Sequence, residues 1–373
     1  MPTNALEAAR DLYDLIDREA DSAGDDPVPR ATVDALVEAD LHAVMSPKDV
    51  GGGELSLVDA IDVFTEVARA DGSAGWCLMA NAATISFFGS WAADDFSQQL
   101  FAEGVPLAAG QFAPNGTAVA DGDGWLVQGD YQFGSGVNHS TWIGGGVMAE
   151  PADGGDAKYL FVLMPVDEVE MRGNWDVLGL VSTASWDYAV RDVHVPDGAT
   201  FEFFAPVRHR GGPVYDLGVL CLTAAGHAGF AAGVGRRVLD ELQAVALTKH
   251  RMGAATPLHE SERFLHELAT LESRFRSAMA WMRDTFVAAE RTVADGGAAD
   301  PAEINATRQS TVFLTQEVAD IARQAYLLAG TTALRDGVLQ RCFRDIHAGS
   351  QHFFAGPSAT LDFGRDLLAA AAD

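Results

Sequence analysis

Lysine is almost missing from these 373 residues: Lys48, Lys158 and Lys249 are all there are, so arginine carries nearly all the positive charge. Fifty-three acidic side chains face 25 basic ones, giving a formal net charge of −28. A surface of that sign repels nucleic acid and anionic lipid, so neither is expected as a partner. A high-salt cytoplasm would screen the self-repulsion, and a GC-rich genome would favour Arg over Lys; both sources stay open. Cysteine is as scarce. Cys77, Cys221 and Cys342 are odd in number, far apart and set in apolar stretches, with no CxxC pair, so neither a disulfide frame nor a metal site is expected. The most apolar run, 74–88, is too short for a bilayer and holds Asn81, Thr84 and Ser86, which predicts a buried core helix. The N-terminus is acidic and amphipathic, unlike a signal peptide, so a cytoplasmic chain is expected. No GxxxxGK[ST], HExxH or GxSxG occurs, which removes P-loop, zincin and serine-hydrolase chemistry.

What is present falls into three zones, enough chain for two or three packed modules. Residues 1–104 read as helices: Leu6, Ala9, Leu12, Tyr13 and Ile16 recur at helical spacing, Thr32 is placed to cap a second helix, and Ser56 with Asp59 caps a third. Residues 105–214 change to short alternating runs cut by Gly, Asn and Asp. AVADGDGWLVQGDYQF is a hairpin pattern around an Asp-Gly turn. Residues 215–373 return to the helical period, with segments near 216–250, 258–293, 301–329 and 334–350. The order is α, then β, then α: an α+β chain, mostly α.

Several short stretches bear on chemistry. Gly226, Gly229, Gly233 and Gly235 in GHAGFAAGVG follow no strand and sit in an Ala-rich helical run, so they read as close helix packing and not as a dinucleotide loop. His347 and His352 are five residues apart, on different helix faces, which argues against a shared metal. His352 precedes two phenylalanines; it is either a satisfied buried ring or a general acid–base group beside a reactive centre. FGSGVNHSTW ends a strand in a Gly-Ser-Gly turn, either a surface turn or a loop facing a planar ligand. KHRMG at 249–253 is either a solvated helix end or a cationic patch for phosphate.

Taken in order, these pieces resemble the acyl-CoA dehydrogenase superfamily along nearly the whole chain. LGLVSTASWDYAVRDVHVP is similar to the family's LGxRGTGSxDVxxxDVxVP segment, KHRMG to its RxxFG, and LQRCFRDIHAG to its closing helix with an Arg-Asp pair. The resemblance implies an N-terminal helical domain, a middle β-barrel or sandwich and a C-terminal four-helix bundle. Dehydrogenases of the family place a catalytic glutamate shortly after the Arg-Asp pair; HAGSQHFFAGPSATLDFGR contains none. Others carry it right after the RxxFG arginine, and His250 stands there. The chain instead resembles the two-component flavin monooxygenases of this fold, whose WxFSSGxxHAxW segment is matched by YQFGSGVNHSTW.

That resemblance implies reduced FMN or FAD as cofactor, a separate flavin reductase as its source, and a small-molecule substrate. It implies Ser135 at flavin N5 and His352 beside the flavin as catalytic residues. The flavin site it implies comprises Phe133, Ser135, Thr183, Lys249, Gly330 and Thr331, with the last three reaching a neighbour's flavin in a homotetramer. Phenol hydroxylases of the group carry a second histidine about eight residues after a tryptophan; counting from Trp76 gives Thr84, so the base for a phenol is missing, and an amine, sulfur or carbon nucleophile needing no such base stays open as substrate. Two rival readings follow from the same residues. One is a dehydrogenase-like oxidoreductase or oxidase lacking the usual glutamate. The other is a flavin-free partner protein.

Overall fold

The computed structural model describes residues 4–372. Six helices come first: α1 (Ala5–Asp11), α2 (Tyr13–Ala23), α3 (Arg30–Glu38), α4 (Leu57–Ala70), α5 (Gly72–Trp91) and α6 (Asp94–Leu100). Ser56 caps α4, its hydroxyl accepting from the Asp59 N–H. Thr32 caps nothing. The helix that carries it starts at Arg30, because Pro29 sits in extended conformation before it, and Thr32 lies buried in its first turn.

Seven strands follow: β1 (Ala108–Asp121), β2 (Gly124–Gly134), β3 (Trp142–Glu150), β4 (Lys158–Pro165), β5 (Glu170–Met171), β6 (Trp186–Pro196) and β7 (Thr200–Glu202). They form one sheet in the order β5-β6-β2-β1-β3-β4-β7. The β1–β2 hairpin turns at Gly122–Asp123, with Asp121 opposite Gly124. Among the described residues only β1 and β3 run parallel; every other pairing is antiparallel. The sheet has its own core around Val127, Tyr131, Ile143, Val162 and Tyr188.

The chain then returns to helices: α7 (Gly218–Thr248), α8 (Glu262–Ala294), α9 (Pro301–Ala329), α10 (Thr331–Leu334), α11 (Val338–Gly349) and α12 (Pro357–Ala370). The first and last helical zones share one continuous core, with α4 and α5 packed on α7. Small residues make that contact possible. A Cβ on Gly233 would lie 2.4 Å from the Thr65 carbonyl oxygen, and one on Gly229 2.5 Å from Phe64 Cβ. The glycine series is therefore a packing seam. Residues 213–248 are long and apolar enough to cross a membrane, yet 89% of their most apolar stretch is buried against these neighbours.

Candidate active site

The site forms where the end of β2 meets the start of β6. Gly134 pairs with Trp186, so the residues just beyond each strand, Ser135 and Ser185, become neighbours. Their hydroxyl oxygens are 2.8 Å apart, and Ser185 Oγ is 2.7 Å from Thr183 Oγ1. Thr183 in turn donates to the Leu180 carbonyl at 2.7 Å. A carbonyl cannot donate, so the proton order along this chain is fixed. Thr183 gives its proton to Leu180, Ser185 gives its to Thr183, and Ser135 gives its to Ser185. Ser135 also accepts from Trp76 Nε1 at 3.1 Å. One lone pair on Ser135 remains. It can accept a hydrogen bond and has no proton left to offer.

The loop carrying Ser135 lies flat on α5. Gly136, at φ 72°, donates to the Thr183 carbonyl, and Asn81 donates its amide to the Ser135 carbonyl at 3.0 Å. A Cβ on Gly136 would come within 3.1 Å of that Asn81 amide. Before the loop, Phe133 takes a left-handed conformation (φ 64°) and is 54% exposed, its ring edge-on to Trp175 at 6.1 Å. An exposed aromatic surface beside an acceptor hydroxyl suits a planar heterocycle with a polar edge.

Trp76 links this loop to an imidazole pair. Its ring meets His352 edge-on at 5.2 Å and His227 at 5.6 Å, and the two imidazoles stack at 5.5 Å. His352 lies beyond the end of α11 and caps the short turn Phe353–Ala355, with Nδ1 accepting from the Phe354 N–H. That bond assigns the ring proton to Nε2, which is left as a donor. Burial pushes the pKa of His352 down to about 4, and burial next to His352 pushes that of His227 down to about 3. Both rings are neutral near pH 7. His347 is elsewhere, on α11, its Nδ1 2.7 Å from the Phe343 carbonyl.

Asp345 holds the arrangement together. The loop 178–185 packs on the end of α11 so closely that a Cβ on Gly179 would lie 2.2 Å from the Arg344 carbonyl oxygen. The Leu180 N–H donates to Asp345 Oδ1 at 2.7 Å. Burial, reinforced by Asp71, raises the Asp345 carboxyl to about 7. It serves the loop backbone, so it does not replace the missing glutamate.

Ser135, Thr183 and His352 are thus brought together, with Phe133 at the edge. Lys249, Gly330 and Thr331 form a second corner. Lys249 Nζ donates to the Ala329 carbonyl at 2.6 Å and to Thr332 Oγ1 at 2.7 Å, next to Gly330 at φ 59° and the first residue of α10. An ammonium has three protons, so one stays available. Thr84 is buried in α5. Sequence reasoning passed over Ser185, Trp76 as a donor and His227; the signal for His227 was a titratable ring inside GHAGFAAGVG, a run otherwise of small and apolar residues.

Comparison with known proteins adds to this geometry. Sequence models of the acyl-CoA dehydrogenase N-terminal and C-terminal domains match residues 7–95 and 225–357. The chain is 26% identical to the indole-3-acetate monooxygenase of Pseudomonas putida, over 91% of this chain and 88% of that protein. It is also 26% identical to the flavin-dependent monooxygenase oxygenase subunit HsaA of Mycobacterium tuberculosis, over 90% and 88%. Two solved structures share the fold. XiaF from Streptomyces sp., in complex with FADH2 and glycerol, superposes with a TM-score of 0.89 at 18% identity, over 98% of this chain and 95% of that one. TdsC, a dibenzothiophene monooxygenase from Paenibacillus sp. A11-2, in complex with FMN and indole, gives 0.84 at 18%, over 98% and 97%.

Proposed function

The chain belongs to the acyl-CoA dehydrogenase family, on its flavin-dependent monooxygenase branch, and from that premise we propose that it is the oxygenase component of a two-component system. A separate reductase supplies reduced flavin, and a small aromatic molecule is oxygenated. When bound, the flavin supplies two electrons and the place where oxygen is activated. One oxygen atom enters the substrate and the other leaves as water. Flavin-dependent monooxygenase chemistry, and not a glutamate-driven dehydrogenation, fits the relatives and the missing carboxylate alike.

The observation that carries the reading is the proton order at Ser135. Reduced flavin has an N–H at N5; oxidised flavin has only a lone pair there. A hydroxyl that has given its proton to Ser185 welcomes the first and offers nothing to the second. Ser135 would then accept the hydrogen bond of a reduced flavin's N5–H and hold that proton in place. His352, edge-on to the Trp76 ring whose Nε1 bonds Ser135, has Nε2–H left to donate. The Trp76 and Phe354 rings flank it and limit its contact with water. Lys249, Gly330 and Thr331 complete the flavin site of a neighbouring subunit in a homotetramer.

Titrating FMN and FAD in both redox states tests this. Reduced flavin is expected to bind the tighter, without oxidation of NADH or NADPH by the protein alone. Replacing Ser185 by Ala frees the Ser135 proton and should narrow the preference by roughly 5- to 150-fold, the equivalent of one buried hydrogen bond of about 1–3 kcal/mol. Oxidised flavin held as tightly as reduced, in a protein that turns over NADH unaided, overturns the reading.

A further inference from the structure

We propose that His227 is a second catalytic histidine of this site, beside Ser135 and His352, and the hydrogen-bond acceptor for an N–H or O–H on an aromatic substrate. The inference rests on the oxygenase reading above and extends it to the substrate. His227 comes from the middle of α7, is completely buried, and has no hydrogen-bond partner at either Nδ1 or Nε2. Such a group is costly. A buried polar atom left unpaired forfeits the bonds it made to water, and native proteins rarely keep one without a use. A ring serving only to fill space between Trp76 and Phe230 would be Phe or Leu, with nothing to desolvate.

The surroundings say what would satisfy it. The His227 ring is walled by Trp76, Phe230 and the stacked His352, at centroid distances of 5.6, 6.0 and 5.5 Å. No carboxylate or cation is among these neighbours, so a charged ligand would find no counter-ion. Aromatic walls favour a flat ring, edge-on or offset. Within the cluster only His352, the cap of the Phe353–Ala355 turn, is half-buried; Trp76, His227, Phe230 and Phe354 are buried. The two imidazoles have opposite roles. His352 offers an N–H, because its Nδ1 is engaged with Phe354; His227, neutral near pH 7, offers an unshared acceptor nitrogen. An aromatic N–H or O–H bonded to that nitrogen is polarised and pushes electron density onto the ring carbon to be oxygenated. The proton stays on the substrate while the bond is made, so the balance of the oxygenation is unchanged. This role also answers for Thr84, where the resemblance left no base: the acceptor comes from α7 instead of α5.

The probes are indole and 1-methylindole, which differ by the N–H alone. Both are given to the protein with reduced flavin and oxygen, and oxygenated product is measured as kcat/KM for wild type, His227→Phe and His227→Gln. Wild type is expected to favour indole by about 10-fold or more. His227→Phe keeps the ring and removes both orphan nitrogens, so it should erase that preference, and His227→Gln, which restores an acceptor, should recover part of it. A purely structural role would lower turnover of both probes equally. The proposal is overturned if wild type shows no preference or oxygenates neither probe, or if both variants keep the wild-type ratio. A failure of the oxygenase reading looks different: wild type then shows no oxygen-dependent flavin transient even without a probe.

Discussion

At the scale of single residues, the site is an exercise in where protons are already committed. Thr183, Ser185 and Ser135 pass theirs one way, towards Leu180, and each donor is fixed by the next. The imidazoles add a pH dependence. Their folded-state pKa values lie below the ordinary 6.5, near 3 for His227 and 4 for His352. The unfolded chain therefore takes up protons in a range where the native site refuses them. Their contribution to stability is fully present above about pH 6.5 and is lost as pH falls through about 4 for His352 and about 3 for His227. Buried Asp345 and Asp71, whose pKa values are raised, act in the opposite sense over the same range. Comparing variants isolates the histidine. At pH 5, His227→Phe should gain about 2 kcal/mol relative to wild type compared with its difference at pH 7.5, from about 1.4 kcal/mol per pKa unit. Urea unfolding at the two pH values measures it, and equal differences at both would show that His227 is not held neutral by burial.

At the scale of elements, the loop 178–185 is the part that folding must work to hold. Leu180 (φ 56°) and Ala184 (φ 41°) are both left-handed, a conformation costing on the order of 1–3 kcal/mol each in a non-glycine residue. Three bonds offset this: Leu180 N–H to Asp345, Trp175 Nε1 to the Leu180 carbonyl at 3.1 Å, and Thr183 to the same carbonyl. Asp345→Ala should cost about 1–3 kcal/mol in stability and weaken reduced-flavin binding in step, because Thr183 and Ser185 ride on the loop. Asp345→Asn keeps an acceptor and should retain most of both. An Asp345→Ala protein with normal melting and normal flavin binding would contradict the clip.

Much of this scaffold was legible in the sequence. Periodicity placed α4, α7 and α9 and the β1–β2 hairpin, whose apolar residues repeat every 3.6 or 2 positions, while α5 was legible as the most apolar run, buried nearly all round. It missed α12, whose only buried side chain is Ala359, so its pattern hardly distinguishes a face. It also misplaced a cap at Thr32, where Pro29 sets the start of α3 instead. Ser135 and His352 were found by resemblance. The relay through Ser185 and the ring stack on His227 were not, since both arise from strand register and helix packing between residues far apart in the chain.

At the scale of the molecule, charge and unpartnered surface point to assembly. A chain of net charge −28 leaves the Lys249 corner as a local cation with one free proton, suited to a phosphate or pyrophosphate. The C-terminal helices expose Leu327, Leu334, Leu361, Leu367 and Leu368, each more than half accessible. Such a set of apolar side chains suits a surface covered by other copies. Sedimentation should give a tetramer whose flavin binding falls in Lys249→Ala; a stable monomer that binds flavin and turns over would refute the shared site.

The measurement closest to the central claim is rapid mixing of the protein, loaded with reduced FMN or FADH2, against oxygenated buffer. An absorbing species should precede oxidised flavin and last long enough to meet substrate, if Ser135 and His352 hold its N5–H and oxygen by hydrogen bonds shielded from water. Ser135→Ala and His352→Ala should each shorten its life by roughly 5- to 150-fold, the kinetic equivalent of about 1–3 kcal/mol, with more of the oxygen lost as peroxide. If no transient forms with either flavin, or if both variants keep the wild-type lifetime, Ser135 and His352 do not hold the site as described.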